Sequence, residues 1–590
     1  MGEFSLHLEG DRAHEIPAKT RYLSCDGTRV VENVEDIFAC HELHNFLNFG
    51  SQIKGSMLSR IARLKFLRAL SLAKSWRVKK INNGITNLKH LRYLDLSQTS
   101  ITRLPNSMCS MINLQTLKLK GCYNLKMLPP KLHKLINLRH LDLENSGIIK
   151  MPKYMGKLKH LQTMTHFFVR KDEGFRLSEI GALNHLRGIL TISNLANLHD
   201  LDTGRDANLK EKCLDRLNLN WGRVVNREMS QKQEQVLEAL EPNYSLKELT
   251  ISYCGSTRFP NWVADPGLPN LVSLYLQDCK NFVSLPMLGQ LPFLERLKIK
   301  GFDGIKVIGQ EFYGNACSSA PFRSLISLDF VSMEEWEEWN ICYEGDSFPC
   351  LEELVMAGCP RLTMSLPQHL PSLKRLCIFG CQNLETLLPK SPVLETIVLT
   401  ECVKISMKHM PTWSSTETLP PLHVLSLKNC PKMESLPQGG LLSHLNRLRI
   451  INCPKVIASR KAWGLHELLS LKELAVGDDF EDVESFPEEG LLPPNLHSLV
   501  FNGCLKLKTI NYRGLLHLHS LTSLAFCKCP SLSFEDMPEQ GLPRSLSDLR
   551  ISYRCRLLRQ WCQREIGPDW PKISYIPRII IYDEQQRVEF

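Results

Sequence analysis

Leucines recur along this chain in one phrase, Leu-x-x-Leu-x-Leu-x-x-Cys-x-x-Leu-x-x-Leu-Pro, with a period of twenty-odd residues. Clear copies are LQTLKLKGCYNLKMLP at residues 114–129 and LHVLSLKNCPKMESLP at residues 422–437. The last two leucines of Leu-x-x-Leu-x-Leu alternate with other residues, which predicts a short β-strand with one buried face. One such strand cannot bury that face alone, so the pattern predicts a solenoid of stacked units.

About twenty copies can be placed along the chain, most of them 21 to 26 residues apart. Longer steps at residues 186–246, 294–325 and 394–422 indicate insertions, and the copy at Leu214 matches the phrase least well. The first leucines of the copies are Leu67, Leu91, Leu114, Leu138, Leu161, Leu186, Leu214, Leu246, Leu271, Leu294, Leu325, Leu351, Leu373, Leu394, Leu422, Leu445, Leu471, Leu496, Leu521 and Leu546.

The Leu-Pro step at the end of each copy predicts the conformation of the segment after the strand. Proline has no N–H and disfavours helix in the residue before it, so this returning segment should contain few full helices. The predicted fold is a leucine-rich-repeat solenoid of horseshoe shape. Its parallel β-sheet lies on the concave side, and its convex side is mostly irregular or 3₁₀-helical. No run of about 18 apolar residues occurs, so no membrane span is predicted.

Cysteine occupies one position of the repeat, five residues after the second leucine. Ten of the 21 cysteines lie there: Cys122, Cys254, Cys279, Cys359, Cys381, Cys402, Cys430, Cys453, Cys504 and Cys529. Such periodic placement indicates a buried structural column in which each thiol meets a backbone carbonyl, and it suits a reducing compartment. Metal binding is the rival interpretation, but structural zinc requires four convergent ligands, and no Cys-x-x-Cys pair is present.

The positive charge of the chain is concentrated near its beginning. Residues 54–160 contain 22 Lys and Arg against three acids, a net charge of +19, so the remainder sums to −9 of the total +10. Arg103, Lys126 and Lys150 each lie nine residues after the second leucine of their copy and should form one column. Lys118 and Lys120 lie on the strand and should face the concave surface, as should Arg92 and Arg139.

Three interpretations of this basic segment stay open: a solvated face, a docking surface for an acidic partner, or a nucleic-acid contact. A basic stripe fits phosphates, but the aromatic interleaving that stacks bases is lacking and no nucleic-acid module is recognisable. Docking to an acidic protein partner is therefore preferred. The candidate partner-binding residues of the segment are Arg92, Arg103, Lys118, Lys120, Lys126, Arg139 and Lys150.

Motifs for catalysis are lacking. The sequence contains no phosphate loop, dinucleotide fingerprint, His-Glu-x-x-His, nucleophile elbow or EF-hand loop. The acid pairs of MEEWEEW at residues 333–339 are predicted to form a surface turn with both tryptophans packed inward. Trp262, Trp413 and Trp463 are candidate partner anchors, two of which are expected to fill insertions instead. The chain is therefore predicted not to be an enzyme.

Several stretches between the repeats resemble one family, the plant intracellular disease-resistance proteins with a coiled coil, a nucleotide-binding module and leucine-rich repeats. These stretches are RGILTISNL at 187–195, DANLKEKCLDRLNLNW at 206–221, FPNWV at 259–263, LPMLGQLPFLERLKIKGFDGIKVIGQEFYG at 285–314, MEEWEEW at 333–339 and IGPDWPKISYIPRIIIYD at 566–583. Residues 2–24, GEFSLHLEGDRAHEIPAKTRYLS, resemble the segment just after the nucleotide-binding module of that family. The resemblance covers essentially the whole chain.

The resemblance implies three segments and leaves the origin of the chain open. Residues 1–62 would be an N-terminal cap and the tail of the nucleotide-binding module. Residues 63–565 would be the solenoid, with insertions near 196–245, 309–324 and 407–420, and residues 566–590 a C-terminal cap. Full-length relatives bind ADP or ATP in a module that precedes the repeats, and no residue here can be assigned to that chemistry, so no cofactor is expected. A fragment and a receptor without its switch both fit the sequence.

The resemblance also implies a function: recognition of a pathogen effector or a guarded host protein, and restraint of the nucleotide-binding module. The basic segment would contact that module, and later strand positions would sense the effector. Cytoplasm is the expected location, with nucleus and plasma-membrane periphery as alternatives. The second functional hypothesis is a substrate-recruiting adaptor of a ubiquitin ligase, which would need a helical box in residues 1–60. The candidate sensing residues are Tyr275, Lys298, Lys300, Lys374, Arg375, Phe379, Arg447 and Arg449.

Overall fold

The computed structural model divides into two compact units, residues 1–282 and 283–590. Within the described residues, none of the helices combines the length and the hydropathy that a bilayer crossing requires. The described residues are 4–9, 16–26, 40–50, 57–170, 172, 174–198, 204–223, 230–264, 268–314, 320–340, 347–363, 366–385, 387–410, 419–437, 440–477, 485–534, 537–539 and 541–582.

The first unit is built on parallel strands that pair in sequence order. β1 to β8 form one eight-stranded sheet, and β9 to β13 pair consecutively after it. The strands are β1 Ser5–Glu9, β2 Tyr22–Asp26, β3 Asn45–Asn48, β4 Ala69–Ser71, β5 Tyr93–Asp95, β6 Thr116–Lys118, β7 His140–Asp142, β8 Thr163–Met164, β9 His166–Phe168, β10 Gly188–Ser193, β11 Leu214–Asn220, β12 Glu248–Ser252 and β13 Ser273–Gln277.

The second unit repeats the same arrangement. Its main sheet is parallel throughout, and two short ladders, β15–β17 and β24–β26, lie outside it. The strands are β14 Arg296–Lys300, β15 Val307–Ile308, β16 Ser327–Val331, β17 Glu338–Trp339, β18 Glu353–Ala357, β19 Arg375–Phe379, β20 Thr396–Thr400, β21 Val424–Lys428, β22 Arg447–Ile451, β23 Glu473–Gly477, β24 Ser485–Phe486, β25 Ser498–Asn502, β26 Thr509–Ile510, β27 Ser523–Cys527, β28 Asp548–Ile551 and β29 Arg578–Ile581.

Every predicted repeat contributes a strand. Each first leucine lies two residues before a strand, except Leu214, which begins β11, and all of them are buried. On β5, Leu94 and the following Leu96 are fully buried, while Tyr93 and Asp95 alternate with them on the other face. The predicted solenoid with a parallel sheet is confirmed. The face that alternates with the buried leucines is called the open face below.

The sheet extends beyond the solenoid boundaries expected at residues 63 and 565. β1 to β3 pair in parallel with one another and with β4, and β29 pairs with β28. In β3 the two inward positions are Phe46 and Asn48 rather than leucines. Asn48 is fully buried because its Nδ2 donates to Ala73 O and Ser75 Oγ, both at 3.0 Å. The helical box required by the adaptor hypothesis is not among the described residues of 1–62.

The returning segments are mostly irregular or 3₁₀-helical, as predicted. The 3₁₀ helices are Asn83–Asn87, Asn106–Ser110, Leu132–Lys134, Met155–Lys157, Leu195–Asn197, Leu209–Glu211, Leu288–Gln290, Gln310–Phe312, Met407–His409, Arg460–Ala462 and Leu465–Glu467. The α-helices are Met57–Ile61, Ser178–Gly181, Ser230–Ala239, Asn261–Ala264, Pro454–Ala458, Arg513–Leu516, Arg556–Trp561 and Trp570–Ile573. Ser230–Ala239 lies in the insertion expected near 196–245; residues 411–418 of the insertion near 407–420 lie outside the described part.

Candidate partner-binding surfaces

A column of cations follows the strands of the first unit. Lys79, Arg103, Lys126 and Lys150, called the basic edge below, each lie nine residues after the second leucine of their repeat and are exposed. Backbone pairing keeps the column in register, because Thr102 N donates to Lys79 O and Met127 pairs with Lys150. Lys79 was missed in the sequence, although the same count from Leu70 finds it.

The basic edge has little internal compensation. The Nζ of Lys126 donates to the carbonyl of Tyr123 at 3.0 Å, which leaves its charge unneutralised. No ion pair to a carboxylate joins any member of the edge within the described residues. Like charges held in adjacent repeats repel one another, so an acidic partner would relieve a cost already present in the free protein.

The open face of the first unit is compensated, unlike the edge. Asp95 on β5, Lys118 on β6 and Asp142 on β7 are direct neighbours in the sheet register. Lys120 Nζ lies 2.6 Å from Glu144 Oε2, and this hydrogen bond raises the pKa of Lys120. The three acids of the basic segment therefore all lie beside its two open-face lysines. Net charge along the sequence did not reveal this local neutrality.

Arg92 and Arg139 lie at the amino ends of β5 and β7 and are exposed. The backbone carbonyl of each accepts N–H groups from the next repeat, which fixes their position in the ladder. Beside Arg139, His140 is half-buried, and its ring Nδ1 lies 3.1 Å from Thr163 Oγ1. Burial, followed by the charges of Arg187, Arg139 and Lys118, lowers the pKa of His140, so this histidine is neutral at pH 7.

Four of the predicted sensing cations are ion-paired across neighbouring repeats of the second unit. Lys298 pairs with Asp329, Lys374 with Glu352, Arg375 with Glu353 and Arg447 with Glu473, at nitrogen–oxygen distances of 3.1, 2.9, 3.6 and 2.5 Å. Exposed pairs of this kind contribute little to stability, because solvent screens them. They nevertheless lower the net charge that these positions offer to an acidic partner. The role of these residues in sensing stays a prediction.

The remaining sensing candidates are distributed over the open faces of both units. Tyr275 is half-buried on β13 beside Thr250, in the first unit. In the second unit, Lys300 ends β14 next to Val331. Phe379 ends β19 between Ala357 and Thr400, and Arg449 lies in β22 between Ser426 and Ala475. Tyr275 therefore belongs to the first unit and the other sensing candidates to the second, where they are spread over several strands.

The cysteine column is structural. All ten predicted cysteines are buried, and Cys122 Sγ, for example, donates to Leu96 O at 3.0 Å. Burial raises the pKa of Cys279 to about 12, so its thiol is protonated at neutral pH. The structure adds Cys555 to the column, since its Sγ donates to Phe526 O at 3.4 Å and accepts from Cys529 N. The described residues contain no group of three or more His, Cys, Asp or Glu placed to hold a metal ion.

Among the described residues, the tryptophans proposed as partner anchors are core residues. Trp336 and Trp339 of MEEWEEW are fully buried, which confirms the inward packing predicted for them. Trp262 and Trp463 are also buried, and each indole N–H donates to a backbone carbonyl, of Leu237 and Val456. Trp413 lies outside the described residues. Exposed aromatic anchors must therefore be sought at other positions.

Two family models match parts of the chain: R13L1/DRL21 leucine-rich repeats at residues 177–302, and the general leucine-rich repeat at residues 90–111. The R13L1/DRL21 match covers the segments that carried the resemblance at 187–195, 206–221 and 259–263. Among solved structures, a plant peptide hormone receptor, RGFR1 in complex with RGF2, shares 17% identity at a TM-score of 0.39, over 99% of this chain and 97% of that chain. A TM-score this low supports no argument about this chain.

The curated relatives are described as plant disease resistance proteins. One from Arabidopsis thaliana is 40% identical over 402 residues, 64% of this chain and 28% of the relative. The RPP13-like protein 1 of the same plant is 36% identical over 510 residues, 77% of this chain and 48% of the relative. RGA2 of Solanum bulbocastanum is 30% identical over 220 residues, 36% of this chain and 22% of the relative. The chain thus spans half or less of the length of these relatives. Over these stretches the chain is similar to plant disease resistance proteins, and the family models that match it are leucine-rich repeats.

Proposed function

We propose that this chain is a non-enzymatic recognition and autoregulatory module of a plant innate immune receptor. The relatives reported above are disease resistance proteins, and the family models that match are leucine-rich repeats. In each unit, the stacked repeats offer an extended surface for macromolecular contact. The column of free, buried thiols suits a reducing compartment, so we place the module in the cytoplasm.

The basic edge is the proposed contact with the receptor's nucleotide-binding module. The observation that carries this assignment is the absence of compensating carboxylates there, among the described residues, while the neighbouring open face is compensated. Apolar side chains lie within the same edge: Tyr123, Met127 and Ile149 are 68%, 59% and 59% exposed. A partner segment with carboxylates around an aliphatic or aromatic anchor fits both features. Charge complementarity would set register and association rate more than affinity.

Sensing of an effector or a guarded host protein is assigned to the open faces. Because Lys298, Lys374 and Arg447 are already paired with acids, a partner gains less from them than from unpaired positions. Tyr275 and Phe379 offer apolar contact on their respective units and are the stronger candidates.

The test is co-expression of this chain with the nucleotide-binding module of a family member. A complex should form and weaken as salt rises, because exposed charges are screened within about 10 Å at 0.1 M. The triple variant Arg103→Glu, Lys126→Glu and Lys150→Glu should lose most of the association. The double variant Lys432→Glu and Lys461→Glu, on exposed lysines of the second unit, is the matched control and should bind as wild type.

A second variant distinguishes docking at the basic edge from docking at the open face. The double variant Lys118→Glu and Lys120→Glu changes two charges that already have acidic neighbours, so it should affect association less than the edge variant does. Association that is insensitive to salt, or that falls equally in the control, would exclude electrostatic docking at the basic edge.

A further inference from the structure

A cavity of about 600 Å³ lies in the second unit, where β22, β23, β25, β27 and β28 end. Ile451, Gly477 and Asn502 are the last residues of β22, β23 and β25, and the turns after β27 and β28 complete the wall. Small-molecule sites typically occupy about 300–1,000 Å³, so the cavity has the size of a ligand site. None of the residues selected from the sequence lines it.

Two glycines shape the wall of the cavity, one by allowing close backbone approach and the other by leaving open space. A Cβ on Gly477 would lie 1.6 Å from Asn502 O, so only glycine fits at the end of β23. Gly503 has a φ of +83°, and a Cβ built there would meet no heavy atom within 4 Å, so this position faces the open cavity. The equivalent position to Gly477 on β22 carries Ile451, whose side chain forms part of the apolar wall instead.

One extra residue in the turn after β28 supplies the rim. The column thiol normally lies five residues after the second leucine, as Cys529 does after Leu524, but Cys555 lies six residues after Leu549. Tyr553 and Arg554 occupy the lengthened turn and line the cavity. The guanidinium of Arg554 lies 5.4 Å from the centre of the Tyr553 ring, and its Nε donates to Tyr553 Oη at 2.8 Å, which orders the pair.

Three cations, Lys528, Arg554 and Arg556, line this cavity, and none of the described lining residues is acidic. The rest of the wall includes the apolar side chains of Ile451, Leu505 and Pro530. Guanidinium groups bind phosphate oxygens in a bidentate geometry, and a lysine adds a point charge. Cations beside an apolar wall match a ligand in which a phosphate is attached to an apolar body.

We propose that this cavity binds a small organic phosphate with an aromatic or aliphatic body, either free or carried on a peptide side chain. The phosphate contacts Lys528, Arg554 and Arg556, and the apolar body lies against Leu505 and Ile451. The site is in the second unit and shares no residue with the basic edge. The proposal of phosphate binding can therefore be tested independently of the docking proposed above.

The direct test is calorimetric titration of the full chain with phenyl phosphate, inorganic phosphate and benzyl alcohol. Phenyl phosphate should bind saturably, inorganic phosphate more weakly, and neutral benzyl alcohol least. The triple variant Lys528→Gln, Arg554→Gln and Arg556→Gln should reduce phenyl phosphate affinity at least tenfold. Lys461→Gln, on an exposed lysine outside the cavity, is the matched control and should leave the affinity unchanged.

Two further variants distinguish a loss of ligand binding from a loss of folding. Leu505→Asp places a carboxylate on a wall position that is 49% exposed, so it should abolish binding without disturbing the core. Residues 478–484, DDFEDVE, follow Gly477 in the chain and lie outside the described part. Replacing their five carboxylates by amides should leave the affinity equal or raise it, and a loss of affinity there would contradict an electrostatic site.

A phosphotyrosine peptide distinguishes the two sources of the ligand. Tighter binding of that peptide than of phenyl phosphate assigns the site to a modified protein, and the reverse assigns it to a free metabolite-sized ligand. No saturable binding of either probe, equal binding of benzyl alcohol, or wild-type affinity in the triple variant would overturn the proposal.

Discussion

A buried lysine gives a stability prediction whose sign depends on pH. Lys212, two residues before β11, is 1% exposed, and its Nζ donates to Leu183 O at 3.1 Å. No carboxylate pairs with it among the described residues, and burial alone lowers its pKa. The informative substitution is Lys212→Met, which keeps an unbranched side chain of similar length and removes the ammonium group.

The magnitude is set by linkage between protonation and folding. Each unit by which the pKa is lowered corresponds to about 1.4 kcal/mol. The ordinary pKa of lysine is near 10.4, so burying the charged amine at pH 7 can cost at most about 4.6 kcal/mol of folding free energy. Beyond that cost the amine would lose its proton and be buried neutral. The folded pKa lies below the unfolded one, so the unfolded state binds more protons and stability rises with pH between the two values. Lys212→Met should therefore stabilise by roughly 1–3 kcal/mol at pH 7. Above about pH 10.5 it should destabilise by ~1 kcal/mol, since only a hydrogen bond is then lost.

Urea unfolding at pH 7, 9 and 10.5 measures this effect. Tryptophan fluorescence is a suitable signal because Trp221, the residue that follows β11, is buried and close to Lys212 in the sequence. Lys232→Met, on an exposed lysine of the helix Ser230–Ala239, is the control and should show no dependence on pH. A Lys212→Met protein that is less stable than wild type at pH 7, or equally stabilised at pH 7 and 10.5, would refute the reasoning.

Three further predictions concern the core, the ion pairs and the histidine of the first unit. Leu425→Ala should lower the unfolding free energy by about 2–5 kcal/mol, because Leu425 is fully buried on β21; a urea midpoint change equivalent to under ~1 kcal/mol would contradict this. Arg447→Glu should destabilise, and the added change Glu473→Arg should restore the pair, with a coupling of roughly 0.5–1 kcal/mol in a double-mutant cycle. His140 has a lowered folded pKa, so stability should fall as pH drops below about 6.5. His140→Asn should flatten that loss when melting temperatures at pH 7 and 5 are compared, and an unchanged slope would exclude His140 as its source.

The strands could be predicted because each repeat contacts only its neighbours. A leucine such as Leu67 or Leu546 fixes a strand two residues later whatever the distant sequence does. The leucine pattern did not predict the strands near the amino terminus. There the inward positions of β2 and β3 are occupied by Leu23, Cys25 and Phe46, which are spaced less regularly. Any apolar side chain of suitable size can occupy a buried position, so a search for leucine alone predicts fewer strands than the sheet contains.

The ion pairs could have been predicted from the phase of the repeat. Lys120 and Glu144 occupy the same position in consecutive repeats, as do Arg447 and Glu473, so phase alone predicts their contact. The cavity, unlike the ion pairs, could not have been predicted from the repeat. It depends on the glycine at 477 and on a turn lengthened by one residue, and neither has a periodic signature.

Charge compensation separates the two surfaces of the first unit. Two unit charges 5–10 Å apart in water interact by about 0.4–0.8 kcal/mol, so a column of like charges in consecutive repeats carries a cumulative cost. On the open face, Asp95 and Asp142 flank Lys118 and remove that cost. At the basic edge the cost remains, although the rest of the chain has acids in excess. A surface that keeps such repulsion in the free protein is the one on which an acidic partner gains most, which is why docking is assigned to the edge rather than to the open face.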